Sequence, residues 1–105
     1  MYKRQVRSGE YLYSTGDLLV LGDVNPGAKV SAEGNIMIWG RLLGIAHAGS
    51  KGNSKATISA LQLRPVQLRI AKKVARGPKE KPQLGLAEQA RIDSEEIIIS
   101  PLETI

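Results

Sequence analysis

Apolar residues alternate with polar or small residues along much of this chain. The alternating positions include Leu18, Val20, Ile36, Ile38, Leu61, Leu63, Val66, Leu68 and Ile70. A period of two residues is typical of β-strands, because successive side chains point to opposite faces. Residues 61–76 would also tolerate a helix, but the two-residue spacing and Pro65 favour strands there. The β-branched run Ile97–Ile99 predicts a further strand near the end of the chain.

The alternating segments recur with a period of about 18 residues. The aligned pairs are Leu18 with Ile36, Val20 with Ile38, Gly22 with Gly40, Val24 with Leu42, Ala28 with Ala46 and Gly34 with Gly52. One period earlier, the pairs are Val6 with Val24, Gly9 with Gly27, Leu12 with Val30 and Gly16 with Gly34. After Gly52 the spacing gains two residues, which places Ala56, Ile58 and Ala60 beneath Ile36, Ile38 and Gly40.

Strands that recur at the same place in each repeat stack on their own equivalents. The pattern therefore predicts an all-β chain folded as a short parallel β-helix, a solenoid of about four coils. No Asn-Gly or Asp-Gly pair marks a hairpin turn, and an antiparallel β-sandwich remains the alternative. We expect one domain over 1–105, with a loose loop over 77–87 where prolines and glycines cluster.

Some apolar residues fall on the outward side of the alternation. They are Leu19, Leu21, Met37 and Trp39. A solenoid of few coils has open strand edges and a small core, so we expect dimerisation or a capping segment. The four residues are candidates for a sheet-to-sheet interface, or they are scattered surface hydrophobes.

Composition narrows the possible chemistry. Among 105 residues there is no cysteine and a single histidine, His47, which excludes thiolate and His-rich metal sites. No apolar run is long enough to span a bilayer and no secretory signal is visible. Phosphate-loop, dinucleotide and zinc-protease motifs are missing. The loop over 49–55 is rich in glycine, serine and lysine, but it lacks the phosphate-loop spacing and is interpreted as a solenoid corner.

The net charge of +5 is unevenly distributed. Residues 64–81 carry seven basic side chains against one acidic side chain, whereas 88–105 are mostly acidic. The basic stretch is either a patch for nucleic acid, anionic lipid or an acidic partner, or simply a solvated surface. It contains no aromatic residue to stack on bases. A carbohydrate- or polymer-binding β-helix and a basic nucleic-acid-binding domain remain the alternative functions.

Four motifs occur in order: RSGE over 7–10, GDVNPGA over 22–28, EGNI over 33–36 and GRLLGIAHAG over 40–49. Together they resemble the MinC C-terminal domain family of bacterial septum-site proteins, whose pattern runs approximately RSGQ, GDVNPGA, DGNI and GxLRGxAxAG. The resemblance covers about 4–75, with a weaker echo over 90–102.

The resemblance implies a right-handed β-helix that dimerises through one face and binds MinD, a membrane-associated ATPase, through another. It implies a cytoplasmic protein recruited to the inner face of the cell membrane by MinD, helping to inhibit FtsZ ring assembly. The stronger polymer-blocking activity belongs in that family to a separate N-terminal domain that is not in this sequence. We expect no catalysis, no cofactor, no metal and no nucleic-acid partner.

Carried over residue by residue, the motifs predict a MinD-binding face. Its members are Arg7, Ser8, Gly9, Glu10, Asp23, Asn25 and Gly27. Glu10 stands where the family usually has Gln, which adds a negative charge beside Arg7. Leu43 and Ile45 replace residues that are often basic, which puts in doubt a contact of that corner with the acidic FtsZ tail. The basic stretch over 64–81 is the alternative surface for that contact.

Overall fold

The computed structural model describes residues 1–76 and 87–102, and in this part of the chain it contains eleven strands and no helix. The strands are β1 Tyr2–Val6, β2 Tyr11–Ser14, β3 Leu18–Val24, β4 Lys29–Ala32, β5 Ile36–Leu42, β6 Ile45–Ala48, β7 Ile58–Leu63, β8 Gln67–Ile70, β9 Lys73–Ala75, β10 Glu88–Asp93 and β11 Glu96–Pro101.

The strands form two sheets that wind around one core. The six-stranded sheet has the order β1-β3-β5-β7-β10-β11, and the five-stranded sheet has the order β2-β4-β6-β8-β9. From β1 to β8 every pairing is parallel and joins a strand to its equivalent one coil away. The predicted β-solenoid of about four coils is confirmed, and the alternative sandwich of antiparallel strands is wrong.

The core consists of the inward members of the alternation. Leu18, Ile36 and Ile58 stack in register, as do Val20, Ile38 and Ala60, and all six are at most 3% exposed. Burying each large aliphatic side chain contributes about 1.5–3 kcal/mol. The small residues Ala28, Ala46 and Ala48 are also buried, because the solenoid interior is narrow where the corners approach each other.

Two details of the predicted register are wrong. Ala46 pairs with Val30, not with Ala28, because the corner between β5 and β6 is two residues shorter than the corner above it. Ile58 pairs with Ile36, whereas the sequence alignment placed Ala56 there. The corner before β7 spans 49–57 and is therefore six residues longer than the equivalent corner over 33–35. Corner length varies without disturbing the sheets, since only the strand positions must stack.

The end of the solenoid is closed by antiparallel strand pairs. The strand predicted at Ile97–Ile99 is present as part of β11, but its antiparallel pairing was not predicted. β9 pairs with β8, β10 pairs with β7, and β10 and β11 form a hairpin. The two central residues of the hairpin turn, Ser94 and Glu95, have φ of 52° and 68°. A two-residue turn with positive φ at both positions normally uses Asn-Gly, so the usual signal was missing. Ile92, Ile97 and Ile99 pack on the core and offset the strained turn.

The predicted loose loop over 77–87 lies outside the described residues except for Ala87. In the described ranges, no helix is long and apolar enough to cross a membrane.

Candidate partner-binding face

The turns that lead from the six-stranded to the five-stranded sheet stack into one surface, here called the corner face. It comprises residues 7–10, 23–28, 41–44 and 64–66. Backbone bonds join successive turns: Asn25 N donates to Val6 O at 2.9 Å, Leu43 N to Val24 O at 2.8 Å and Arg64 N to Leu42 O at 3.0 Å. Arg7, Asn25, Leu43 and Arg64 consequently follow one another down the face, one per coil.

The first turn is closed by the side chain of Glu10. Its Oε1 accepts the backbone N–H of Arg7 at 2.8 Å, and its own N–H donates to Arg7 O at 3.0 Å. Gly9, with φ of 87°, donates its N–H to Gly27 O at 3.0 Å. The carboxylate of Glu10 is therefore used inside the turn. The Arg7 guanidinium forms no ion pair with any residue of 1–76 or 87–102 and is exposed.

The second turn is fixed in the same way by Asn25. Its backbone carbonyl accepts the Ala28 N–H at 3.0 Å, and its Nδ2 donates to Val6 O at 3.2 Å. Gly27 has φ of 85°, and a Cβ there would overlap the hydroxyl of Ser8 on the coil above. The positive φ requires glycine at this position, whereas the Ser8 hydroxyl can rotate away from an added Cβ.

Asp23 is held by a side chain of the next coil. Its Oδ1 accepts the backbone N–H of Arg41 at 2.8 Å, and its Oδ2 accepts Arg41 Nε at 3.0 Å and Nη2 at 2.7 Å. These bonds to Arg41 keep the pKa of Asp23 below its ordinary value of 3.8. Both oxygens of Asp23 are engaged within the chain, and the exposed charge at this position is the Arg41 guanidinium.

All seven residues predicted for the site lie on two adjacent turns of the corner face. Sequence reasoning missed Arg41, although its position one repeat after Asp23 was a usable signal. Beside Arg7, an open groove of about 600 Å³ runs along the first coil. Lys3, Arg4 and Arg7 line it together with Glu10, so the groove carries more positive than negative charge.

The outer side of the six-stranded sheet is a second unusual surface, here called the apolar face. Its exposed members are Tyr2, Leu21, Met37, Trp39 and Leu61. Leu19 lies half-buried between Tyr2 and Met37 in the strand register. Strand pairing thus joins the outward apolar residues into one continuous patch.

No three His, Cys, Asp or Glu side chains within 1–76 and 87–102 are placed to share a metal ion. The two distinctive surfaces are a polar corner whose turns are bonded between coils and an apolar face of the six-stranded sheet.

A family model described as "Septum formation inhibitor MinC, C-terminal domain" matches residues 1–102. The chain belongs to this family. It is 68% identical over 103 residues to a probable septum site-determining protein MinC of Prochlorococcus marinus strain SARG, covering 98% of this chain and 47% of that protein. It is 42% identical to the corresponding protein of Clostridium acetobutylicum, covering 94% of this chain and 47% of that protein. The chain thus spans about half the length of these relatives.

The solenoid also matches a solved member of this family. A chain of the MinC:MinD cell division protein complex from Aquifex aeolicus superposes with a TM-score of 0.88 at 41% identity. The match covers 98% of this chain and 85% of that chain. The family of septum formation inhibitors suggested by the four motifs is confirmed.

Proposed function

We propose that this chain is a non-enzymatic adaptor in the selection of the division site. It binds a MinD ATPase through the corner face, forms a homodimer through the apolar face, and helps to inhibit FtsZ ring assembly. The observation that carries this proposal is the stacking of the turns over 7–10 and 23–28 into one fixed patch. The similarity to a chain of a MinC:MinD complex supports the choice of partner.

The corner face suits recognition of a folded partner. Its turns are fixed by bonds between coils, so little conformational freedom is lost on binding. Gly9 and Gly27 have no side chain to hold a partner away from the surface, so a partner backbone can come close. Arg7 projects beside them with a guanidinium that can bind a carboxylate through two parallel hydrogen bonds. Arg41, which is bonded to Asp23, adds a second fixed cation two coils away from Arg7.

The apolar face suits association with a second copy of the chain. Trp39 is 58% exposed and Tyr2 56% exposed, which is costly for large aromatic side chains in water. A two-fold axis would cover both copies of the patch at once and leave the corner faces accessible. A dimer would then bind two partner molecules, and recruitment to a membrane that carries the ATPase would gain from bivalency. We place the protein in the cytoplasm, recruited to the inner membrane surface through that partner.

The proposal is tested by co-sedimentation of the chain with a MinD ATPase on lipid vesicles, in ATP and in ADP. We expect recruitment in ATP alone, and the variant Arg7→Glu should weaken it by about a hundredfold, as loss of an interfacial charge contact does. Arg76→Glu is the matched control, because it makes the same charge change on an exposed residue outside the corner face.

Equal loss in the two variants would show that net charge, not the corner face, controls binding. A folded dimer without recruitment in ATP would contradict the adaptor proposal, and nucleic-acid and polysaccharide binding would then be measured. Inhibition of FtsZ assembly is a separate readout: the recruited dimer should reduce the amount of sedimenting FtsZ polymer, and the Arg7→Glu variant should not.

A further inference from the structure

A cleft at the end of the solenoid lies away from the corner face. Its volume is about 320 Å³. The corner loop over 49–57 forms one wall and the turn between β8 and β9 forms another. Gly52 and Ser54 line the first wall, Lys72 and Lys73 the second, and Ile92 and Glu95 of the end hairpin complete the cleft. A volume of this size suits a small ligand or a headgroup.

The loop wall exists because this corner, 49–57, has six residues more than the equivalent corner over 33–35. The extra residues lie between Ala48 and Ile58 and are mostly glycine, serine, asparagine and lysine. Gly49 and Gly52 have φ of 57° and 107°, and Gly52 N donates to Gly49 O at 2.8 Å. A Cβ at Gly52 would meet nothing within 4 Å, so glycine is favoured there by the positive φ of the turn and not by lack of space. Insertions in repeat proteins commonly build a binding surface on one side.

The lysine wall is fixed by contacts behind it. Ala71 has φ of 53° and its N–H donates to Ala48 O at 3.0 Å. His47 Nε2 lies 3.0 Å from Ala71 O; because that oxygen only accepts, Nε2 carries the hydrogen. Lys73 then pairs with Ile70 in the strand register. Lys72 and Lys73 are thus consecutive exposed lysines on an anchored turn.

The charge of the cleft is predominantly positive. Lys51 and Lys55 are exposed on the loop wall, and they add to the two lysines of the turn. Glu95 is the carboxylate that lines the cleft. Among the residues that the structure describes, none of these four lysines forms an ion pair. The two lysines that line the cleft outnumber its one carboxylate, Glu95, and a cleft with excess positive charge attracts a compact anion.

We propose that this cleft binds a phosphate group, either on a free phosphate compound or on an anionic lipid headgroup. Lysine binds phosphate as a point charge, and the hydroxyl of Ser54, which lines the cleft, can donate to a phosphate oxygen. The loop over 49–55 has the composition but not the spacing of a nucleotide phosphate loop. In the folded chain, Lys72 and Lys73 add positive charge on the opposite wall of the cleft. This site is independent of the proposed MinD-binding face.

The test is a titration of the 105-residue chain with inorganic pyrophosphate at constant ionic strength, followed by amide chemical shifts. We expect saturable shifts confined to residues 51–55 and 71–73. Lys72→Gln with Lys73→Gln should weaken binding about tenfold or more. Arg76→Gln with Arg91→Gln is the matched control, with the same change in net charge on exposed residues outside the cleft and the corner face, and should leave binding unchanged. Glu95→Gln should strengthen binding, because it removes the opposing carboxylate.

Sedimentation with phosphatidylglycerol vesicles, and with neutral phosphatidylcholine vesicles as reference, distinguishes the two sources of the phosphate. Binding to the anionic vesicles that the lysine variant loses assigns the site to lipid headgroups. Saturable pyrophosphate binding without vesicle binding assigns it to free phosphate compounds. Shifts spread evenly over all basic residues, or an equal loss in the control variant, would overturn the proposal.

Discussion

The corner face and the apolar face are built from the same four coils but are held in different ways. In the corner face, carboxylate and amide side chains bond the backbone, as Glu10 does within a turn and Asp23 does across coils. In the apolar face, the strand ladder bonds the backbone, and the side chains of Met37 and Trp39 project freely. The difference shows that a solenoid can bond its backbone through side chains on one face and through the strand ladder on another.

The physical reason lies in the backbone. A turn cannot place all of its N–H and C=O groups in a ladder, so polar side chains must satisfy the remainder. Those side chains then form a fixed polar surface suited to specific recognition. A strand satisfies its own backbone groups, so its outward residues are free to be apolar and suited to association.

Replacing Gly44 with alanine should break the corner face. A Cβ there would overlap Ala28 O and lie 2.7 Å from Asn25 O, which are backbone atoms of the coil above. We expect the free energy of unfolding to fall by about 2–3 kcal/mol, measured by urea denaturation. Gly16→Ala is the control, since a Cβ at Gly16 meets nothing within 4 Å and should change stability by less than about 0.5 kcal/mol. Similar losses in both variants would contradict the close stacking of the corners.

Replacing Leu21 with aspartate should break the proposed dimer without unfolding the protomer, because Leu21 is exposed. A two-fold interface meets each substitution twice, so we expect dimerisation to weaken by about a hundredfold. Sedimentation equilibrium measures this change. Trp39 is the only tryptophan, so its emission should shift to the blue as the wild-type chain dimerises. Val74→Asp, the same kind of change on an exposed residue of β9, should leave the dimer intact.

Asp23→Asn should reduce stability by about 0.5–1 kcal/mol at pH 7, since a partly exposed ion pair contributes little. The pKa of Asp23 is lower in the folded chain than its ordinary value. The stabilisation that the Asp23 carboxylate gives to the folded chain is therefore complete above about pH 5 and disappears as the pH falls through the folded-state pKa. Urea melts of both proteins between neutral and acidic pH should converge. A constant difference at every pH would show that the charge of Asp23 is unimportant.

Glu10→Gln should have the smallest effect on stability, within about 0.3 kcal/mol, because the glutamine Oε1 can accept the same Arg7 N–H. Partner binding should strengthen about threefold, since the negative charge beside Arg7 is removed. Surface binding assays with immobilised MinD, run at two salt concentrations, would measure the change. Weaker binding of the glutamine variant would indicate that the carboxylate itself contacts the partner.

Much of this molecule was predictable from particular residues. Inward positions such as Leu18, Ile36 and Ile38 identified the strands and the core, and the repeat identified the stacking of Gly9 on Gly27. The end hairpin was not predictable, because Ser94 and Glu95 are unusual residues for its turn. The bond between Asp23 and Arg41 was missed because ion pairs between coils depend on corner geometry as well as on spacing.

Patterns in the amino-acid sequence predicted the class of fold, the period of the coils, the inward and outward sides of each strand and the family. These properties follow from local alternation and repetition, which act between residues close in the chain or one period apart. Three features became visible only in the folded chain: the register of the fourth coil, the closure of the solenoid by antiparallel strands, and the meeting of Lys72 and Lys73 with the loop over 49–55. Corner lengths and chain reversals depend on the space between packed coils and do not follow the sequence period. Contacts between residues on different corners can therefore be identified only in the folded chain.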